Sequence, residues 1–267
     1  MTTTAENAAA SGSEPLDPAR RPNLIDRTFS SPWGFVVTLV VITTFGLGAD
    51  HFASRTQQNL LGVCDTILFL FVLRYFTLPE RVTALIVVAV ATWSEFVGSV
   101  LWGLYVYRLD NLPLFIPAGH GLVFLTGLRL SQTHWARGHR TKFMTITFLF
   151  AAGWALLGLT GWLGRVDAAG AFGVLVVSLA MRYGPNPTVY AGVFWFVAYL
   201  ELYGTAIGTW RWAELVPGTP IPDGNPPSGA ASGYVAFDLT AYFLAPYILR
   251  AWYAVRGRPT PPEAAGG

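Results

Sequence analysis

The stretch ATWSEFVGSVLWGLYVY (91–107) sets one carboxylate, Glu95, inside an apolar run that begins near Val82. A second stretch, VAYLELYGTAIGTWRW (197–212), does the same with Glu201. Runs of about 20 apolar residues are what a helix needs to cross a hydrocarbon core of roughly 30 Å. Working outward from these two, eight such runs can be marked, at about 32–50, 57–76, 81–106, 112–130, 142–163, 168–183, 188–212 and 230–253. The sixth is short, and without it seven would remain. Apolar residues make up 53% of the 267 and charged residues only 12%, where a soluble domain carries about a quarter charged. The pattern predicts an all-α fold, a polytopic membrane helix bundle of about eight spans.

Residues 1–31 are polar and rich in Ala, Ser, Glu and Pro, and 256–267 have the same character. Both are expected to be disordered cytoplasmic tails flanking a membrane domain at 32–255, because they hold too little apolar surface to order themselves. No short apolar core followed by a cleavage site is visible in the first tail, so a cleaved signal segment is not expected. The lone Cys64 excludes an intramolecular disulfide. With eight spans, the side holding both termini carries thirteen of the 17 lysines and arginines. The basic side faces the cytoplasm, so both termini are expected there, in a cell inner membrane. The cluster HWARGHRTK (134–142) then reads as a cytoplasmic anchor at anionic headgroups rather than a nucleic-acid site.

The chain also resembles itself. LRYFTLP (73–79) and MRYGPNP (181–187) share Arg-Tyr-x3-Pro. Glu95-x2-Gly98 returns as Glu201-x2-Gly204, each followed by a glycine and an alternating aromatic pair: Gly103, Tyr105, Tyr107 and Gly208, Trp210, Trp212. AGHGLVFLT (118–126) aligns with SGYVAFDLT (232–240). Similarities in the same order at a nearly constant offset predict two four-helix repeats, about 32–130 and 142–255. An even number of spans per copy makes the repeats parallel, related by an axis along the membrane normal.

Ionisable groups inside the spans are few: Asp65, Glu95, His120, Glu201 and Asp238. An intramembrane carboxylate costs on the order of 3 kcal/mol, so each is a candidate functional residue. At about 1.5 Å per residue, Asp65, His120 and Asp238 lie roughly 10–14 Å from the extracytoplasmic span ends, and the two glutamates about 15–18 Å. One slab suggests one shared cavity. On helical spacing, Trp102 shares a face with Glu95, Trp212 with Glu201, and Tyr234 and Tyr242 flank Asp238. A protonated acid among aromatic rings can act as a general acid, and ring faces stabilise cations. The structural alternative is a pair of acids that hydrogen-bond across the bundle and hold its halves together.

The sequence lacks an Asp-Asp-x-x-Asp element, a Walker sequence, Gly-x-Ser-x-Gly, His-Glu-x-x-His and paired cysteines. His51, His134 and His139 lie outside the slab. Neither a metal nor another cofactor is expected, which leaves acid chemistry.

At these residues the chain resembles integral-membrane proteins of isoprenoid metabolism. Glu-x2-Gly with its glycine and aromatic pair, followed by LPLFIP (112–117), is similar to the bacterioruberin-type carotenoid hydratases. The acids of WSEFVG (93–98) and AFDLTAY (236–242) resemble the acid pair of small transmembrane terpene cyclases. TAYFLAPYIL (240–249) is similar to the emopamil-binding, sterol-isomerase group. All three likenesses imply protonation of an isoprenoid double bond by a buried acid, with cyclisation, isomerisation or hydration as the outcome. They imply Glu95 and Asp238 as the acid pair; Glu201, the duplicated position of the internal repeat, is expected to play a supporting role. Trp102, His120, Trp212, Tyr234, Tyr242 and Asp65 would then contact a membrane lipid or isoprenoid substrate. The rival expectations are a proton-coupled small-molecule transporter and a non-catalytic membrane partner of another enzyme.

Overall fold

The computed structural model describes residues 23–257. Its helices are α1 (Leu24–Ser30), α2 (Pro32–Phe52), α3 (Arg55–Val72), α4 (Leu78–Glu95), α5 (Phe115–Ser131), α6 (His134–Gly138), α7 (Arg140–Leu159), α8 (Ala168–Tyr183), α9 (Pro187–Ala206) and α10 (Ala231–Val255). A 3-10 turn extends α3 to Tyr75, and a π-helical turn extends α4 to Leu101. A helix therefore lies on each of the eight apolar runs. Four helical stretches are long and apolar enough to cross a membrane: Pro32–Phe52, Arg55–Tyr75, Leu78–Leu101 and Arg140–Leu159. Their outward faces expose Val37, Phe45, Leu60, Ile67, Leu149 and Leu156. So continuous an apolar surface is costly in water and suits lipid.

Local sequence fixes where the helices start. Ser54 and Gln57 form a capping box at α3, and Thr77 and Glu80 form one at α4. The prolines of the two Arg-Tyr-x3-Pro elements, Pro79 and Pro187, sit in the first turns of α4 and α9, where a missing N–H costs nothing. The centre of the bundle is made by α5 and α9, with 12 of 17 and 12 of 20 residues buried. These two helices lie against each other, and α4 lies against α10.

Three features depart from the sequence reading. The tail expected through residue 31 is ordered from Asn23, because Phe29 of α1 is buried against Phe35, Phe71 and Tyr75. Residues 1–22 and 258–267 lie outside the described region. The fold is also not purely α: strands β1 (Tyr105–Tyr107) and β2 (Trp210–Trp212) pair antiparallel, Tyr105 opposite Trp212 and Tyr107 opposite Trp210. Finally, the helices expected to run to 106 and 212 end sooner. Gly103 and Gly208 take φ of 73° and 74°, a left-handed conformation that glycine alone adopts without strain and that turns each chain out of its helix.

Candidate functional site

The ribbon carries the aromatic pairs onto the two glutamates. Tyr107 Oη donates to Glu95 Oε2 at 2.7 Å, and His120 Nε2 of α5 lies 2.9 Å from Glu95 Oε1. On the other side Trp210 Nε1 and Trp212 Nε1 both donate to Glu201 Oε2, at 2.9 and 3.0 Å. The glycine of each Glu-x2-Gly motif makes this possible. A Cβ on Gly98 would stand 3.1 Å from the Tyr105 hydroxyl, and one on Gly204 would collide with the Trp210 ring. The motif is thus a helix face cut away one turn beyond the acid, so that a ribbon aromatic can lie across it.

Both glutamates line one cavity of about 490 Å³, together with Trp93, Trp102, Tyr105, Tyr107, Trp210, Trp212, Tyr234 and Phe237. Glu95 has a partner on each oxygen. Glu201 receives both of its donors on Oε2, and no described residue donates to Oε1. The two acids therefore differ in what they can do: Glu95 is built as an acceptor, and Glu201 keeps one oxygen for a ligand.

The cavity is capped by the proline-rich segment 213–230. Asp167, at the N-terminus of α8, accepts from the N–H groups of Gly170, Gly224 and Ser228 at 3.0, 3.0 and 2.7 Å. Asn225 Oδ1 accepts from Trp212 N, and the Trp102 indole donates to Pro217 O. Asp223 of this cap lines the cavity beside the glutamates. Burial and the neighbouring Asp167 carboxylate push its pKa up to about 7, against opposing pulls from the Gly224 N–H and Arg165.

The folded value exceeds the ordinary 3.8, so the protonated form favours folding and the contribution is complete below that pH. It is lost as pH rises through about 7. Asp223→Asn cannot ionise. Thermal melts in detergent from pH 6 to 8 should show the unmodified chain falling by about 2–4 °C per kcal/mol lost, with the variant flat. Parallel curves would place the titration elsewhere.

A second cavity of about 220 Å³ lies between α2, α3, α5 and α9, lined by Asp65, His120, Thr43 and Cys64 among apolar side chains. The single cavity expected for all five polar groups is therefore divided. Glu95 and Glu201 face the larger space, and Asp65 and His120 the smaller. Asp238, 1% exposed, faces neither. It lies one turn beyond Tyr234 on α10, with Tyr190 and Tyr242 as its electrostatic neighbours. Tyr242 packs edge-on to Phe124, away from both cavities.

Trp102 and Trp212 reach the site, though not along a helical stripe. Trp102 caps the π-helical turn and Trp212 stands on β2. Missing from the sequence reading were Tyr107 and Trp210 as ligands of the acids, and Asp223 and Asp167 in the cap. The alternation Tyr-x-Tyr and Trp-x-Trp after a glycine was a strand signal. The cap carried no comparable mark. Among the described residues no group of three or more His, Cys, Asp or Glu is arranged to hold a metal ion. Comparison with protein-family models, curated proteins and solved structures finds no match to this chain.

Proposed function

We propose that this chain is an integral-membrane enzyme that starts chemistry on an apolar isoprenoid or related lipid by protonating a double bond. One observation carries the reading: two buried carboxyls on a single aromatic-walled cavity have unlike hydrogen-bond surroundings. Paired acids in unlike surroundings take unlike roles. Glu201 gives the proton from Oε1. The alkene π electrons form the new C–H bond, and a carbocation is left on the other carbon. The ring faces of the cavity hold that cation. Glu95, fixed by Tyr107 and His120, accepts the proton that leaves in a cyclisation or isomerisation, or takes one from the attacking water in a hydration. Glu201 replaces Asp238 as the partner of Glu95, since Asp238 has no access to the cavity. A volume of about 490 Å³ is within the range of ordinary ligand pockets. The test is expression in a polyprenoid-producing host, with mass spectrometry of the lipid extract.

The same reading takes the eight helices as spans and the halves as parallel repeats. Its support is the matched positions of Gly103 and Gly208, the antiparallel pairing of β1 with β2, and the crossed packing of α4 on α10 and α9 on α5. Both termini then lie in the cytoplasm of an inner membrane. Tags at either end should be shielded from impermeant labels in intact cells. Labelling of the C-terminal tag alone would remove one span.

Proton-coupled transport of a small molecule is the second reading. It draws on the matching interruptions of α4 and α9 beside the two acids, which resemble the broken helices of transporters. Uptake of substrate without any change in its mass would favour it.

A further inference from the structure

A groove of about 250 Å³ lies apart from both cavities, at the end of the bundle where α2 and α7 begin and α5 finishes. Trp33 of α2, Trp135 of α6 and Ile146 of α7 stand along its open side, each between 42% and 52% exposed. Phe143 of α7, 4% exposed, and Trp195 of α9 form its inner wall. Trp195 lies eight residues into α9 and bonds to Thr147, seven residues into α7. At about 1.5 Å per residue the groove therefore runs roughly 10–12 Å along the bundle.

The depth of the groove offers a ligand no hydrogen bond. The Trp195 indole N–H is taken by Thr147 Oγ1 at 2.8 Å. The Thr133 hydroxyl donates to Leu130 O at 2.9 Å and accepts from Ala136 N at 3.3 Å. A polar group pushed in here would lose its water without replacement, so the occupant of the inner wall is hydrocarbon.

The rim has the opposite character. Arg137, Arg140 and Lys142 are exposed, and among the described residues none of them forms an ion pair. On α7, Arg140 stands one turn before Phe143 and Lys142 one turn before Ile146, so both cations lie on the faces that line the groove. The indole N–H groups of Trp33 and Trp135 donate to no described residue, and the Trp135 ring is held by His139 and the edge of Phe143. Both α2 and α7 are long and apolar enough to cross a membrane, which puts their first turns at headgroup level, where tryptophan is favoured.

We propose that this groove binds one anionic glycerophospholipid, with an acyl chain against Phe143, Ile146 and Trp195 and the phosphate among Arg137, Arg140 and Lys142. A soluble anion would leave the apolar wall uncovered, and an uncharged chain would leave three cations unpaired. A lipid with an anionic head satisfies both, as at other basic pockets between membrane helices. The site is remote from Glu95 and Glu201 and stands whether or not those acids carry a reaction.

The test is native mass spectrometry of the full chain, delipidated in detergent and titrated with phosphatidylglycerol, with phosphatidylcholine of the same chain length and with inorganic phosphate. One phosphatidylglycerol should bind per chain, more tightly than phosphatidylcholine, and phosphate alone should not bind. Arg137→Gln, Arg140→Gln and Lys142→Gln should each weaken phosphatidylglycerol by about fivefold, the worth of one basic residue near an anionic headgroup. Phosphatidylcholine should be unaffected by them. Ile146→Trp fills the groove from its exposed side and should weaken both lipids. Equal binding of the two lipids, binding of inorganic phosphate, or phosphatidylglycerol binding unchanged in folded Ile146→Trp would overturn the site. A dimer broken by Ile146→Trp would give the groove to a second copy of the chain. Lipid binding that appears only after removal of residues 1–22 would give it to that segment, and either result overturns the site.

Discussion

Glu201→Gln is expected to lower product formation by about 10²–10⁴-fold, the usual contribution of a general acid, with the protein still folded and inserted. Glutamine keeps the shape of the side chain and an oxygen to accept from Trp210 and Trp212, but it has no acidic proton to give. Glu95→Gln should also lose activity, for a different reason. Both oxygens of Glu95 are acceptors, toward Tyr107 and His120, and an amide nitrogen in place of one obliges that partner to turn from donor to acceptor. Its loss should therefore come with some loss of stability, whereas that of Glu201→Gln should not. Asp238→Asn is the internal comparison: the residue faces neither cavity, so its effect on turnover should be small. The assay is product mass in the lipid extract, normalised to folded protein. Full activity in all three amides would sink the acid mechanism and leave the glutamates as ties between ribbon and helices.

Gly192→Val is expected to prevent the bundle from forming. Gly192 of α9 lies against the backbone of Gly127 on α5: a Cβ there would stand 3.0 Å from the Gly127 carbonyl carbon and in collision with its oxygen. In the other direction a Cβ on Gly127 would meet the Val193 backbone nitrogen at 2.6 Å. Overpacking against movable side chains costs about 1–3 kcal/mol. Here the obstacle is main chain in the two most buried helices, so the cost should lie at or above the top of that range. Size-exclusion profiles and thermal melts in detergent would show it as aggregation or a large fall in melting temperature. A monodisperse variant with an unchanged melt would mean that α5 and α9 are held apart.

The helices were legible because membrane-length apolar runs and proline starts are local signals. Glu95 and Glu201 stood out for the same reason, as charges in runs that otherwise exclude them. What could not be read was direction. Asp238 sits at a similar depth yet turns toward Tyr190 and Tyr242, because the rotation of α10 is fixed by its packing against α4 rather than by its own sequence. Trp212 was placed near Glu201 by helical spacing and does reach it, but through a glycine turn and a strand. The Glu95–His120 contact joins α4 to α5, and no local rule specifies it. Asp223 was invisible because its site exists only once Asp167 has gathered the cap around it. The buried hydrogen bond from Gln58 to Asp50 escaped for the opposite reason, since both residues lie near helix ends where polar groups are ordinary.

The crossed packing of α4 on α10 and α5 on α9 has a consequence for how the protein is made. Residues 78–131 leave the ribosome with one face of α4 and one of α5 unmatched, because the helices that cover those faces lie at 187–206 and 231–255. The first half can gather α2, α3 and α4 around α5, but it stays open on the faces that α9 and α10 later cover. Those faces of α4 and α5 stay uncovered until the last helix arrives, while Glu95 can already meet Tyr107 and His120. Completion of the bundle is therefore a late event, and a chain halted in the loop after α7 would keep those two faces uncovered.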